Sequence, residues 1–257
     1  MALCTAGAVV PATAAPLRLQ ILTTNDLHGA VDGVDTPELA GDARWLGGFD
    51  YVAGLIDKLR AKAPDRTIVL DAGDCFQGVL GVNRLEGMPC ARFRDLAGFT
   101  ATTLGNHEFD YQGCGDDKGC AGAADPQCAL KRTMSEARTP TVAANVRIAQ
   151  SRERWMPHGL RPFVVVPAGG VKVGIIGVLT ETAAKIIMPG ALEGLAITSA
   201  VDEVRQLLPE MRAAGADLVI VLAHMNGDCD GKGTEIAPQG LTRCSAVTSE
   251  LGDFVKA

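Results

Sequence analysis

Two rhythms of apolar and polar residues alternate along this chain. Short runs rich in Val, Ile and Leu predict strands at 17–23, 67–70, 101–104 and 218–223, with 141–144 extended. Helical spacing predicts helices at 45–61, 90–97, 130–138 and 200–214, the last stopped by Gly215. Segments 163–166 and 171–178 form a hairpin around Gly169-Gly170. This alternation predicts an α/β fold, a layered domain with helices on a mostly buried sheet. There is no internal repeat. Residues 113–126, rich in Gly, Asp and Cys, read as an inserted surface loop.

Composition narrows the function classes. Of 257 residues, 47% are hydrophobic and 21% charged, enough apolar material for a sizeable core. The net charge is −6 and no long basic run occurs, which argues against a partner that is a nucleic-acid polymer. A small phosphate ester stays open, because bound metal ions supply positive charge locally. No stretch reaches the roughly 18 consecutive apolar residues of a membrane span. Residues 1–15 are small, apolar and uncharged, and end in Ala12-Thr13-Ala14. They resemble the later part of a secretory signal with its cleavage site, although the basic leader is absent. A periplasmic or extracellular location and a domain over 16–257 are therefore expected. Cys4 is not preceded by the small residue of a lipid-anchor site.

The chain has eight cysteines and no C-x-x-C pair, so disulfides are expected rather than a zinc knuckle. The expected pairs are Cys229 with Cys244, and two among Cys114, Cys120 and Cys128.

Of the four histidines, three follow predicted strands directly: His28, His107 and His224. In open α/β sheets, ligands bind outside the carboxyl ends of the strands. Four segments run an apolar strand into ligand-type residues: QILTTNDLHG, TIVLDAGDCFQG, ATTLGNHEFD and LVIVLAHMNGD. Asp26 and His28 are two apart, so an extended backbone would turn both to one side, to clamp one cation. Asp74 offers two carboxylate oxygens that can bridge two ions. Asn106 offers an amide oxygen, and His107 and His224 offer ring nitrogens. Such a mixed N/O set suits Zn²⁺, Mn²⁺ or Fe²⁺ better than Ca²⁺ or Cu⁺. Singly, a strand-end His is usually a surface residue and Gly-Asp is usually a turn; the convergence of four strand ends is the signal.

These motifs, Asn25-Asp26-Leu27-His28-Gly29, Gly73-Asp74, Gly105-Asn106-His107-Glu108-Phe109-Asp110 and the strand-end His224, resemble those of calcineurin-like metallophosphoesterases. The longer forms, with Leu46-Gly47-Gly48-Phe49 and Ala144-Asn145-Val146, resemble the 5'-nucleotidase and UDP-sugar hydrolase branch. The resemblance runs from about residue 19 to the end. It implies a layered β-sandwich flanked by helices, and two divalent metal ions, Zn, Mn or similar. Asp26 and His28 would hold the first ion, Asp74 would bridge, and Asn106 and His224 would hold the second. His107 would be catalytic rather than a ligand, oriented by Asp110 beside the scissile phosphate. Glu108 is left with a supporting role.

The implied reaction is hydrolysis of phosphate monoesters, foremost nucleoside 5'-monophosphates. Related alternatives are a cyclic-nucleotide phosphodiesterase, a UDP-sugar diphosphatase or a thiosulfate-ester hydrolase. The non-enzyme alternative is a metal-binding module with little turnover. The family also uses a Gly-His-x-His or Gly-His-x-Gln loop and a C-terminal substrate-binding domain. Neither occurs after His224 in these residues, so a fragment and a weak catalyst are expected.

Overall fold

The computed structural model describes residues 16–36, 45–112, 125–229 and 247–257. Five parallel strands form the larger sheet in chain order: β1 (Gln20–Thr24), β2 (Thr67–Asp71), β3 (Ala101–Thr103), β4 (Thr141–Val142) and β5 (Leu160–Arg161). The second sheet has three strands. β6 (Phe163–Ala168) and β7 (Val171–Leu179) form the expected antiparallel hairpin. β8 (Leu218–His224) joins β7 in parallel, with Leu179 opposite His224.

The two sheets pack face to face. Ile68, Leu70, Ala101 and Val142 of the first meet Val173, Ile175 and Leu222 of the second in one apolar cluster. Strand alternation turns Val69 and Leu104 the other way, into a core closed by α1 (Phe49–Arg60), α2 (Met88–Ala97) and α3 (Cys128–Glu136). On the far side Ile176 and Val178 pack beneath α4 (Ala200–Ala213) through Leu207 and Met211. The result is four layers, helix, sheet, sheet, helix. β7 is covered on both faces, which is why its sequence is an apolar run rather than an alternation.

Several expectations need correction. The helix expected from residue 45 starts at Phe49, because Gly47 and Gly48 take φ of 74° and 90°. Trp45–Leu46 instead pairs with Val34–Asp35 in a short antiparallel ladder. Short helices at Leu80–Arg84 and at Ser249–Lys256, here α5, add to the expected elements.

A disulfide joins Cys75 to Cys90, a pair that no local pattern announces. Cys128 is disulfide-bonded as well. Its expected partners Cys114 and Cys120, and also Cys244, lie outside the described residues, as do residues 1–15 and most of the expected insert. Among the described residues no helix is long and apolar enough to cross a membrane.

Candidate metal centre

Four strand ends deliver the centre. Past β1 the chain keeps pairing with the segment after β2: Asp26 N–H donates to Gly73 O at 2.9 Å, and His28 N–H to Asp74 O at 3.0 Å. Asp26, His28 and Asp74 nevertheless have φ of 49°, 42° and 58°. The extended backbone expected for Asp26 and His28 is thus replaced by left-handed turns. Three non-glycine residues in this region mark a strained segment of the kind that gathers at functional sites. The two side chains still share a side, with His28 Nε2 4.0 Å from Asp26 Oδ1.

The segment after β3 approaches so closely that a Cβ on Gly105 would overlap Asp74 Oδ1. Asn106 then opens a 3₁₀ turn over His107–Phe109. Asn106 Oδ1 lies 3.3 Å from His224 Nε2, which is also 3.2 Å from Asp74 Oδ2. The other ring nitrogen of His224 is 2.8 Å from Ala72 O, so that carbonyl fixes the ring. His107 Nδ1 is 2.6 Å from Asp110 Oδ2, and its ring meets that of His28 edge-on at 4.9 Å. All seven residues singled out in the sequence therefore meet at one sheet edge. Asp74 and His224 sit deep, while Asp26, His28 and His107 are partly open to solvent.

Two donor groups overlap. Asp26, Asp74 and His224 place ligand atoms within 4.8 Å of one another, and so do His28, Asp74 and His107. Asp74 belongs to both. His28 Nδ1 is buried with no hydrogen-bond partner among the described residues. A buried orphan nitrogen beside carboxylates, within a mixed N/O donor set, fits divalent ions of the Zn or Mn type.

Electrostatics couple the deep pair. Burial alone would discourage a charge on His224. The hydrogen bond and charge of Asp74 outweigh it, helped by Ala72 O and Glu108, and push its pKa up to about 9. Burial opposes charge on Asp74 too, yet the His224 hydrogen bond and charge hold its carboxyl below the usual range. At the end of β2, burial pushes the Asp71 carboxyl up against the pull of Arg94. Glu108, given only a supporting role from sequence, accepts backbone N–H groups of Asp74, Cys75 and Gly105.

Fold and donor set together define a layered α/β domain with a candidate metal site at one sheet edge. The calcineurin-like phosphoesterase family matches residues 19–245, and the chain belongs to that family. A snake venom 5'-nucleotidase of Crotalus adamanteus is 31% identical over 219 residues, covering 84% of this chain and 34% of the relative. Endonuclease YhcR of Bacillus subtilis (strain 168) is 30% identical over 226 residues, covering 83% and 17%. Among solved structures, a 5'-nucleotidase precursor from Thermus thermophilus superposes with a TM-score of 0.65 at 29% identity, over 80% of this chain and 37% of that one. The chain thus spans between 17% and 37% of these relatives' length.

Proposed function

We propose that this chain hydrolyses phosphate monoesters with two divalent ions of the Zn or Mn type, with nucleoside 5'-monophosphates as the foremost substrates. The observation that carries this reading is the sharing of Asp74 between two donor groups at one sheet edge. The sequence assignment gives Asp26 and His28 to one ion and Asn106 and His224 to the other. The donor atoms instead group Asp26 with His224 and His28 with His107, and Asp74 is common to both ions under either division. Such ions, when bound, polarise a phosphate and activate water.

The chain's own residues do the rest. Asp110 ties up Nδ1 of His107, which leaves Nε2 free to hold a proton for the departing ester oxygen. With Nδ1 engaged, Nε2 is the reactive nitrogen; the catalytic role follows from the resemblance to the metallophosphoesterase motif. The carboxylate of Asp110 also fixes the orientation of the ring. The nucleotide preference rests on the 5'-nucleotidase relatives. Their greater length leaves room for base recognition elsewhere. The disulfides at Cys75–Cys90 and Cys128 support an oxidising location such as the periplasm or the cell exterior.

A diester reading draws on one observation, the endonuclease relative. The test is phosphate release from AMP and p-nitrophenyl phosphate, set beside bis-p-nitrophenyl phosphate, with Mn²⁺ or Zn²⁺ and with chelator. Metal-dependent release from the monoesters is expected. Turnover of the diester alone would favour the second reading, and no metal-dependent turnover of any of the three would overturn both.

A further inference from the structure

Glu108 has no task in that mechanism, yet it is a buried carboxylate, 2% exposed, at the heart of the site. Its Oε2 accepts the N–H of Asp74 at 2.9 Å and of Gly105 at 2.7 Å. Its Oε1 accepts the N–H of Cys75 at 3.0 Å and lies 3.5 Å from Phe76 N. Successive N–H groups around a left-handed residue make a concavity that binds anions. Here the concavity at Asp74–Phe76 is filled by a side chain of the same chain. The reverse bond also exists, since His107 N–H donates to Asp74 Oδ1 at 2.9 Å. The two loops thus hold each other crosswise, the backbone of each bonded to a carboxylate of the other.

Behind them stands Arg94 on α2. Its Nε donates to Asp71 Oδ2 at 2.5 Å, and its Nη2 is 3.6 Å from Glu108 Oε1. Cys90 lies four residues earlier on the same helix, hence on the same face, and is bonded to Cys75. One helix face therefore grips the Asp74 loop twice, through a covalent bond at Cys75 and through charge by way of Glu108.

We propose that Glu108, which shares Arg94 with Asp71, is a positioning residue. Its carboxylate holds the Asp74 backbone in the left-handed conformation that aims the Asp74 side chain between His224 and the His28–His107 pair. A sparsely populated backbone state persists only where its surroundings over-determine it, and this carboxylate supplies that constraint. The inference rests on the reading of Asp74 as a metal ligand. Glutamine has the shape of glutamate but presents an NH₂ donor where the ring of N–H groups needs an acceptor. Glu108→Gln therefore unseats one loop without emptying space.

The test titrates Mn²⁺ into the full 257-residue chain, as wild type, Glu108→Gln, Asp74→Ala and Leu207→Ala. Binding is followed by calorimetry and folding by thermal unfolding with chelator present. Leu207, on α4, is fully buried against Ile176 and Val178, and serves as a destabilised control. Glu108→Gln is expected to weaken Mn²⁺ binding by about 10- to 100-fold, the range for residues that support ligands. Leu207→Ala should bind as wild type despite a lower unfolding midpoint. If Glu108→Gln binds Mn²⁺ as tightly as Leu207→Ala, Glu108 merely supports the fold and the proposal is overturned. Should Glu108→Gln fail to fold, Glu108→Asp decides, because it keeps the charge but is too short to reach both rows of N–H groups. Weakened binding by Glu108→Asp supports the proposal, and wild-type binding overturns it. Wild-type binding by Asp74→Ala would remove the ligand reading itself, a result distinct from tight binding by the Glu108 variant alone.

Discussion

Raising the pH from 6.5 to 9 should tighten metal binding while loosening the metal-free fold. Both effects come from the contact between His224 Nε2 and Asp74 Oδ2 at 3.2 Å. His224 keeps its proton up to about pH 9, and an ion that takes the same nitrogen must displace it. Two units below that value, at pH 7, the apparent affinity should be lower by about 100-fold than above pH 9. For the metal-free fold the sign reverses. A pKa raised from 6.5 to about 9 contributes stability that is complete below pH 6.5 and is lost as pH rises through 9. The amount is roughly 3 kcal/mol. The lowered pKa of Asp74 reports the same contact from its other side and is counted once. Its share appears above the ordinary carboxylate range and is lost only as pH falls through the lowered value. The assay is a Mn²⁺ titration at pH 6.5, 7.5 and 8.5 in buffers of different ionisation enthalpy, paired with unfolding in chelator. About one proton should leave with the ion that takes His224 at the lower pH values, and His224→Gln should flatten both profiles. An affinity independent of pH, with no proton released, would refute the coupling.

Three further outcomes follow from the geometry. Asp74→Ala should lose two-ion occupancy, checked by elemental analysis after gel filtration, because only Asp74 belongs to both donor groups. His107→Asn should retain its metals and lose turnover by about 10²–10⁴, with Asp110→Asn losing less; a missing ion restored by added metal would move His107 into the ligand set. Leu70→Ala, at the seam between the sheets where Leu70 is fully buried, should lower unfolding stability by roughly 2–5 kcal/mol in denaturant titration.

The alternation of strands and helices is legible because covered strands need continuous apolar runs, and β7 and β8 have them. His28, Asp74, His107 and His224 stand out because each follows such a run directly, where the sheet edge collects ligands. What stays hidden depends on partners distant in sequence. The conformation of Asp26 and His28 is set by pairing with Gly73 and Asp74 across the edge, and the modest tendency of Asp toward left-handed turns does not by itself announce one. The Cys75–Cys90 bond has no spacing rule behind it. Glu108 is opaque for a similar reason, since its main partners are backbone N–H groups, which every sequence possesses. At Gly47-Gly48 the signal is present, and two adjacent glycines argue against a helix starting at residue 45.

The seam between the two sheets has a consequence for how the molecule is made. Three strand ends of the centre belong to the larger sheet, but His224 comes from β8 of the smaller one, 152 residues beyond the Ala72 carbonyl that fixes its ring. A nascent chain emerging at roughly 5–20 residues per second completes β1 through β3 long before β8 leaves the ribosome. Until then the Asp74 carboxylate lacks the His224 imidazole. Closure of the pocket is therefore a late step in biogenesis, set by long-range contacts that are slow to form. An ion captured earlier would be held by an incomplete set of donors, without the His224 nitrogen.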